Sequence, residues 1–266
     1  FLRDFNISLP SIKNLLGASI IMSMALFPYI YLLVKVQLSS MGINLFKASK
    51  TLGKNNIETI FKVIIPSLWP AIVGGMSLVI FETVADFGGV STLRIETFTV
   101  GIYNAWFGYQ SYYSAAKLAG YLFVFVVAVI LISKYYDNKQ INLASRTSEI
   151  FEKTNLNTVK AYLATTICTL IFLVVFVAPL IQLFIWSLSK NGLFSTENIY
   201  LFFNSLVLGI SASLVTVFFA ISLALTYRSS KSIKNIISVI TSGYAIPGSV
   251  ISAGLLVSFG YFFNIS

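Results

Sequence analysis

Six apolar stretches, each about the length of a bilayer core, leave this chain few ways to fold. They cover residues 17–38, 67–88, 116–136, 159–187, 201–227 and 235–262. About twenty apolar residues in a helix cross a hydrocarbon layer of about 30 Å. Inside that layer every backbone N–H and C=O must be bonded within the protein, which for continuous apolar runs means helix. The expected fold is therefore all-α, a polytopic transmembrane helical bundle with about six spans. Composition agrees. Of 266 residues, 57% are hydrophobic and 10% are charged, where soluble domains carry roughly 25% charged residues.

Details of the spans carry further expectations. Pro28 should kink the first, and Gly74-Gly75 should let a neighbouring helix approach the second closely. The break Ile246-Pro247-Gly248 interrupts the sixth, either bending a helix or lining a path. Residues 89–115 read as a polar, aromatic-rich loop along the membrane surface. Its Tyr103, Trp106, Tyr109, Tyr112 and Tyr113 suit an interfacial belt better than a ligand box.

Lysine and arginine set the orientation. The segments 35–66, 134–160 and 228–234 hold 13 of the 18 basic residues, and the remaining five lie on or near the opposite side. The basic side is cytoplasmic. The net charge of +9 is thus topological, and no nucleic-acid partner is expected. There is no histidine and one cysteine, Cys168, in an apolar run where it reads as a small buried side chain. An internal disulfide is excluded, and neither a metal site nor a cofactor is expected on this chain. No phosphate-cradling glycine motif is present either, so any ATP chemistry belongs elsewhere.

Against this background the polar stretch 44–66, NLFKASKTLGKNNIETIFKVIIP, stands out. Leu45, Ala48, Ser49 and Leu52 follow helical spacing, and Gly53 comes where a helix would stop. Asn55 or Asn56 can cap a second helix, in which Ile57, Ile60, Phe61 and Ile64 repeat the spacing. Glu58 and Lys62 stand four apart in the favourable order, and Pro66 closes the unit. Two short amphipathic helices around a glycine corner are expected on the cytoplasmic side. They suit gripping by an aqueous partner; the alternative is a segment lying on the lipid surface. Glu82 and Asp86 are the acidic residues within or bordering a span. They read either as a polar lining at the outer end of a path or as an end-of-helix cap.

The 44–66 stretch resembles the cytoplasmic EAA loop of ABC-importer permeases, E-A-A-x3-G-x9-I-x-L-P. This chain has Lys47-Ala48-Ser49, then Gly53, then Val63-Ile64-Ile65-Pro66 at the same spacing. Lys47 replaces the glutamate, a charge reversal. FETVADFGGVSTL, TFTVGIYNAWFG and YAIPGSVISAGLL look like the fused, double-length permeases of the iron(III) importer group. The Asn-Ser-Leu of 202–227 is similar to the opening of a permease core in this superfamily.

The resemblance implies a multi-pass permease of the bacterial inner membrane. It would work with ABC ATPase subunits, an extracytoplasmic substrate-binding protein and the lipid bilayer around it. It implies ATPase coupling through Lys47, Ala48, Ser49, Gly53, Ile57, Phe61 and Pro66. Glu82, Asp86, Pro247 and Gly248 are the candidates for the substrate path. Iron(III) is the substrate it points to; thiamine or another small solute is the alternative, and an ion-coupled secondary transporter is a further one. Residues 1–136 then read as the later part of one permease unit, 137–158 as a cytoplasmic linker, and 159–266 as the start of a second unit. On that layout the sequence is a piece of a longer chain, with a second copy of the loop expected beyond Ser266.

Overall fold

A computed structural model describes residues 11–40, 44–137, 157–189, 196–229 and 242–263. Among them every regular element is helical. Helix α1 is Leu15–Ser40 and runs through Pro28; α2 is Asn44–Thr51. Helix α3 extends from Asn56 to Ala85 without interruption, with a π-helical turn at Ile60–Ile64. Then come α4, Gly88–Thr92, and α5, Phe98–Tyr103, which continues into a π turn at Asn104–Gly108. Helix α6 is Tyr112–Asp137. Helices α7, Thr158–Phe172, and α8, Ala178–Ser189, are joined by a π turn at Leu173–Val177. Helix α9 is Thr196–Ser229 and α10 is Gly248–Phe263.

Among the described residues, five helices are long and apolar enough to cross a membrane. They match the first five expected spans. The sixth is represented by α10, of 16 residues, and residues 235–241 lie outside the described ones. So do most of the linker 137–158 and most of the basic turn 228–234.

The described residues fall into two compact units, one from 1–153 with 244–266, the other from 154–243. In the first, α1 packs along α3, while α6 packs against α3, α5 and α10. Its core comprises Leu122 and Val126 of α6, Phe81 of α3, Ile102 of α5, and a set of small residues, Ala105, Ala115, Ala119 and Ala253. Lipid tails are as apolar as leucine, so membrane helices associate through close packing, which small side chains permit. Gly75 is the extreme case. A Cβ there would lie 2.8 Å from the Ile30 Cα, whereas at Gly74 it would meet only the Leu33 Cδ1 at 3.9 Å. Of the glycine pair, Gly75 makes the close crossing.

Two expectations are corrected. The 89–115 stretch is largely helical rather than loop. The Thr97 hydroxyl caps α5 by accepting from the Val100 N–H. Thr99 is buried and donates to the Asp86 carbonyl at 2.9 Å. These local bonds replace the water that a loop would need. Tyr109 and Tyr113 remain exposed, and Trp106 packs edge-on to Tyr112 at 4.9 Å between centroids. The second correction is Cys168, which is exposed on α7. In the second unit, no described residue of α7, α8 or α9 is buried. An apolar neighbourhood in sequence does not imply protein neighbours in a bilayer.

Candidate functional site

Helix α2 and the first turns of α3 form the corner expected from the sequence. The Lys54 N–H reaches back to the Ser49 carbonyl at 3.2 Å and the Gly53 N–H to the Lys50 carbonyl at 2.9 Å. This pair of bonds is a Schellman ending, with Gly53 in the left-handed region at φ 78. Nothing lies within 4 Å of where a Gly53 Cβ would be. Glycine is required by the backbone conformation there, not by crowding. Asn55, rather than Asn56, caps α3, its side chain accepting from the Glu58 N–H at 2.8 Å. Glu58 and Lys62 pair at 2.9 Å on the exposed side.

The inside of the corner is polar. Ser49 and Thr59 are its buried residues, and their hydroxyls lie 2.9 Å apart. Ser49 can also donate to the Phe46 carbonyl at 2.8 Å, and Thr59 to the Asn55 carbonyl at 2.9 Å. Two hydroxyl protons serve three contacts. The pair therefore resolves as Thr59 to Ser49 to Phe46, or as Ser49 to Thr59 to Asn55.

The apolar side chains point outward. Leu52 is 79% exposed, Ile57 69% and Phe61 66%. Leu52, Ile57 and Phe61 are thus available to something outside the corner, while Ser49 of the first expected stripe turns inward and its hydroxyl contact with Thr59 holds the two helices together. Lys47 and Ala48 are also exposed, as is Pro66 at the second position of the apolar segment Ile65–Ala85. Of the seven loop candidates only Ser49 is buried. Thr59, its partner, was missed because a threonine at an unremarkable helical position carries no signal by itself.

At the other end of α3 the two carboxylates part company. Asp86 turns into the following segment, its oxygens accepting from the Gly89 N–H at 3.3 Å and the Val90 N–H at 3.0 Å. It caps α4. Glu82, half-buried, takes hydrogen bonds on its Oε1 from Tyr29 of α1, at 3.3 Å, and from Tyr244. Tyr244 sits in the 3₁₀ turn Ser242–Ala245, ahead of α10. Pro247 is fully buried, and its carbonyl accepts from Val250 and Ile251 at the start of α10. Gly248 is exposed. So Glu82 and Asp86 do not share a site, and neither tyrosine partner was legible from sequence. They stand 53 and 162 residues away.

Residues 7–148 match the family described as binding-protein-dependent transport system inner membrane component. Over 247 residues the chain is 30% identical to the Fe(3+)-transport system permease protein FbpB 2 of Haemophilus influenzae, covering 89% of this chain and 48% of that protein. It is 29% identical over 119 residues to a putative ferric transport system permease protein, FbpB 1, of the same organism, covering 44% of this chain and 19% of that one. Over 90 residues it is 29% identical to the sulfate transport system permease protein CysT of Salmonella typhimurium, covering 34% of this chain and 32% of that protein. The chain thus spans at most about half the length of these relatives. No solved structure matches it.

Proposed function

The chain belongs to the family of binding-protein-dependent transport system inner membrane components, and from that premise we propose that it forms part of the transmembrane path of an ATP-driven importer, moved by ATPase subunits that grip the α2–α3 corner. The observation that carries the reading is the corner itself. The corner around Gly53 presents Leu52, Ile57 and Phe61 to the aqueous side, and the second helix runs on unbroken from Asn56 into a span. Exposed apolar anchors on a polar-cored corner suit burial in a groove of a partner protein. The unbroken helix gives any motion of that partner a rigid route into the membrane. ATP is hydrolysed on the partner, and substrate reaches the outer face on a separate binding protein.

The substrate reading is iron(III). It rests on the long match to a permease named for Fe(3+), and on charge. Glu82 and Asp86 are the charged residues of 67–88, and the 17–34 and 242–263 stretches carry none. Carboxylates at the end of a path favour a cation and repel a sulfate dianion. The shorter matches to sulfate permeases support sulfate as the second reading.

Leu52→Glu and Phe61→Glu are expected to lower the amount of ATPase subunit that co-purifies with the permease. Unchanged association with both variants would overturn the docking reading. ATP-dependent uptake of radiolabelled iron(III), measured beside sulfate and thiamine in cells expressing the whole transporter, decides the substrate.

A further inference from the structure

The first unit holds a cavity of about 300 Å³ between α10 and the segment formed by α5 and its π turn. One wall is a run of aromatic rings. Phe87 and Tyr103 lie 4.8 Å apart between centroids, Tyr103 and Phe107 4.9 Å, and Trp106 stands beside them. The facing wall is α10, with Ser249, Ser252 and Leu256. None of the described residues that line the cavity is charged. A mostly apolar lining with a few polar groups is the usual composition of a ligand site, and this volume is at the small end for one.

Ser249 stands apart in this lining. Among the described residues its hydroxyl oxygen is the one buried side-chain oxygen or nitrogen with no hydrogen-bond partner. The local structure explains the lack. Further along α10, Ser258 donates back to the Gly254 carbonyl at 2.8 Å. Ser249 is only the second residue of α10, and the carbonyl four residues back belongs to the 3₁₀ turn that ends at Ala245. A buried hydroxyl left unmet is destabilising, so a partner from outside the chain gains more here than at a solvated position. Ser249 lines the cavity, and rotation of its side chain between staggered positions offers the hydroxyl to an occupant. Water suits the place poorly, because the facing rings supply few of the roughly two to four polar partners it needs. The Thr99 hydroxyl, also in the lining, is already bonded to the Asp86 carbonyl. A carbonyl carried on an apolar body suits it better.

Depth in the membrane identifies that body. Ala253, in the α10 wall, packs with Ala115 and Ala119 in the first turns of α6, the end of α6 opposite the lysine-rich side. Aromatic side chains gather at this level of a bilayer, which is also where headgroups give way to acyl chains. Phe107 and Leu256 are more than half exposed, so the cavity opens on an apolar surface. We propose that the cavity takes the first part of one acyl chain of an outer-leaflet phospholipid, whose ester carbonyl accepts a hydrogen bond from the Ser249 hydroxyl. The methylenes lie against Phe87, Tyr103 and Phe107, and the headgroup stays outside. An uncharged lining selects no headgroup. It also rejects a free fatty acid, whose carboxylate would find no cation there. The bound chain fills the space between α5 and α10.

The test uses the purified full transporter, stripped of lipid in a maltoside detergent, which has no ester. It is titrated with dioleoyl phosphatidylglycerol and with the diether analogue of that lipid, and bound lipid is counted by native mass spectrometry. The two lipids differ only in their ester carbonyls. Wild type is expected to bind the ester lipid roughly two- to tenfold more tightly than the ether lipid, the range of one hydrogen bond. Ser249→Ala should bring the ester lipid down to the level of the ether lipid. Ser252→Trp, which fills the cavity, should remove the tight binding of both. Alanine at 249 also removes an unmet hydroxyl, so the lipid-free variant should melt no lower than wild type, which separates lost binding from lost folding. A lower melting temperature would mean that the hydroxyl has a partner within the protein, and overturns the proposal. So does equal binding of the two lipids by wild type, a preference that survives in Ser249→Ala, or unchanged binding in Ser252→Trp.

Discussion

At the scale of single residues, the corner depends on one backbone angle and one pair of hydroxyls. Gly53 stands at φ 78 with open space where a side chain would project. A β-branched residue there costs about 1–2 kcal/mol from backbone strain alone, while asparagine tolerates the left-handed region. Gly53→Val should therefore lower ATPase association and transport more than Gly53→Asn does, with little change in the melting of the spans. Equal effects of the two variants would show that size, not conformation, governs the site. The Ser49–Thr59 pair allows a sharper measurement. Each hydroxyl retains a backbone carbonyl if the other is removed, so neither deletion strands a buried polar group. Ser49→Ala and Thr59→Val should each cost only about 1 kcal/mol. A double-mutant cycle on the stability of the purified protein should return a coupling of about 0.5–1.5 kcal/mol.

At the scale of elements, the positions of helices were legible and their faces were not. Apolar length placed the first five spans, and the Gly53 stop and asparagine cap placed the corner between two of them. These are local signals, carried by a few adjacent residues. A helix that is apolar all round carries no stripe to say which side meets protein. Hence the packing of α10 on α6, the exposure of Cys168 and the meeting of Tyr29, Glu82 and Tyr244 could not be read from the sequence. The short helices of 89–115 were missed for another reason. Their caps, Thr97 and Asp86, act through individual bonds that composition does not register. The Gly74-Gly75 pair shows how far a local signal goes. It announced a close approach, and the structure assigns that approach to Gly75 against Ile30. Gly75→Leu must move the α1 backbone and should destabilise the protein by about 1–3 kcal/mol. Gly74→Ala, with only ordinary contact to Leu33, should change its melting temperature little.

At the scale of the whole molecule, the corner and the Glu82 cluster are the two ends of one helix. Val63 lies between them in the π turn. Val63→Pro should cost about 3 kcal/mol of helix continuity and leave Leu52, Ile57 and Phe61 in place. The expected outcome is a permease that still binds its ATPase and still supports ATP hydrolysis, but no longer transports. Preserved transport would mean that the helix is not the route. Gly75 adds a mechanical consequence. The backbones of α3 and α1 touch there, so a stiff α3 turns about that point as about a fulcrum. At 1.5 Å rise per residue, its inner arm from Ile57 is about 27 Å and its outer arm to Glu82 about 10 Å. A push on the inner end therefore moves Glu82 the opposite way, about two-fifths as far, trading stroke for force.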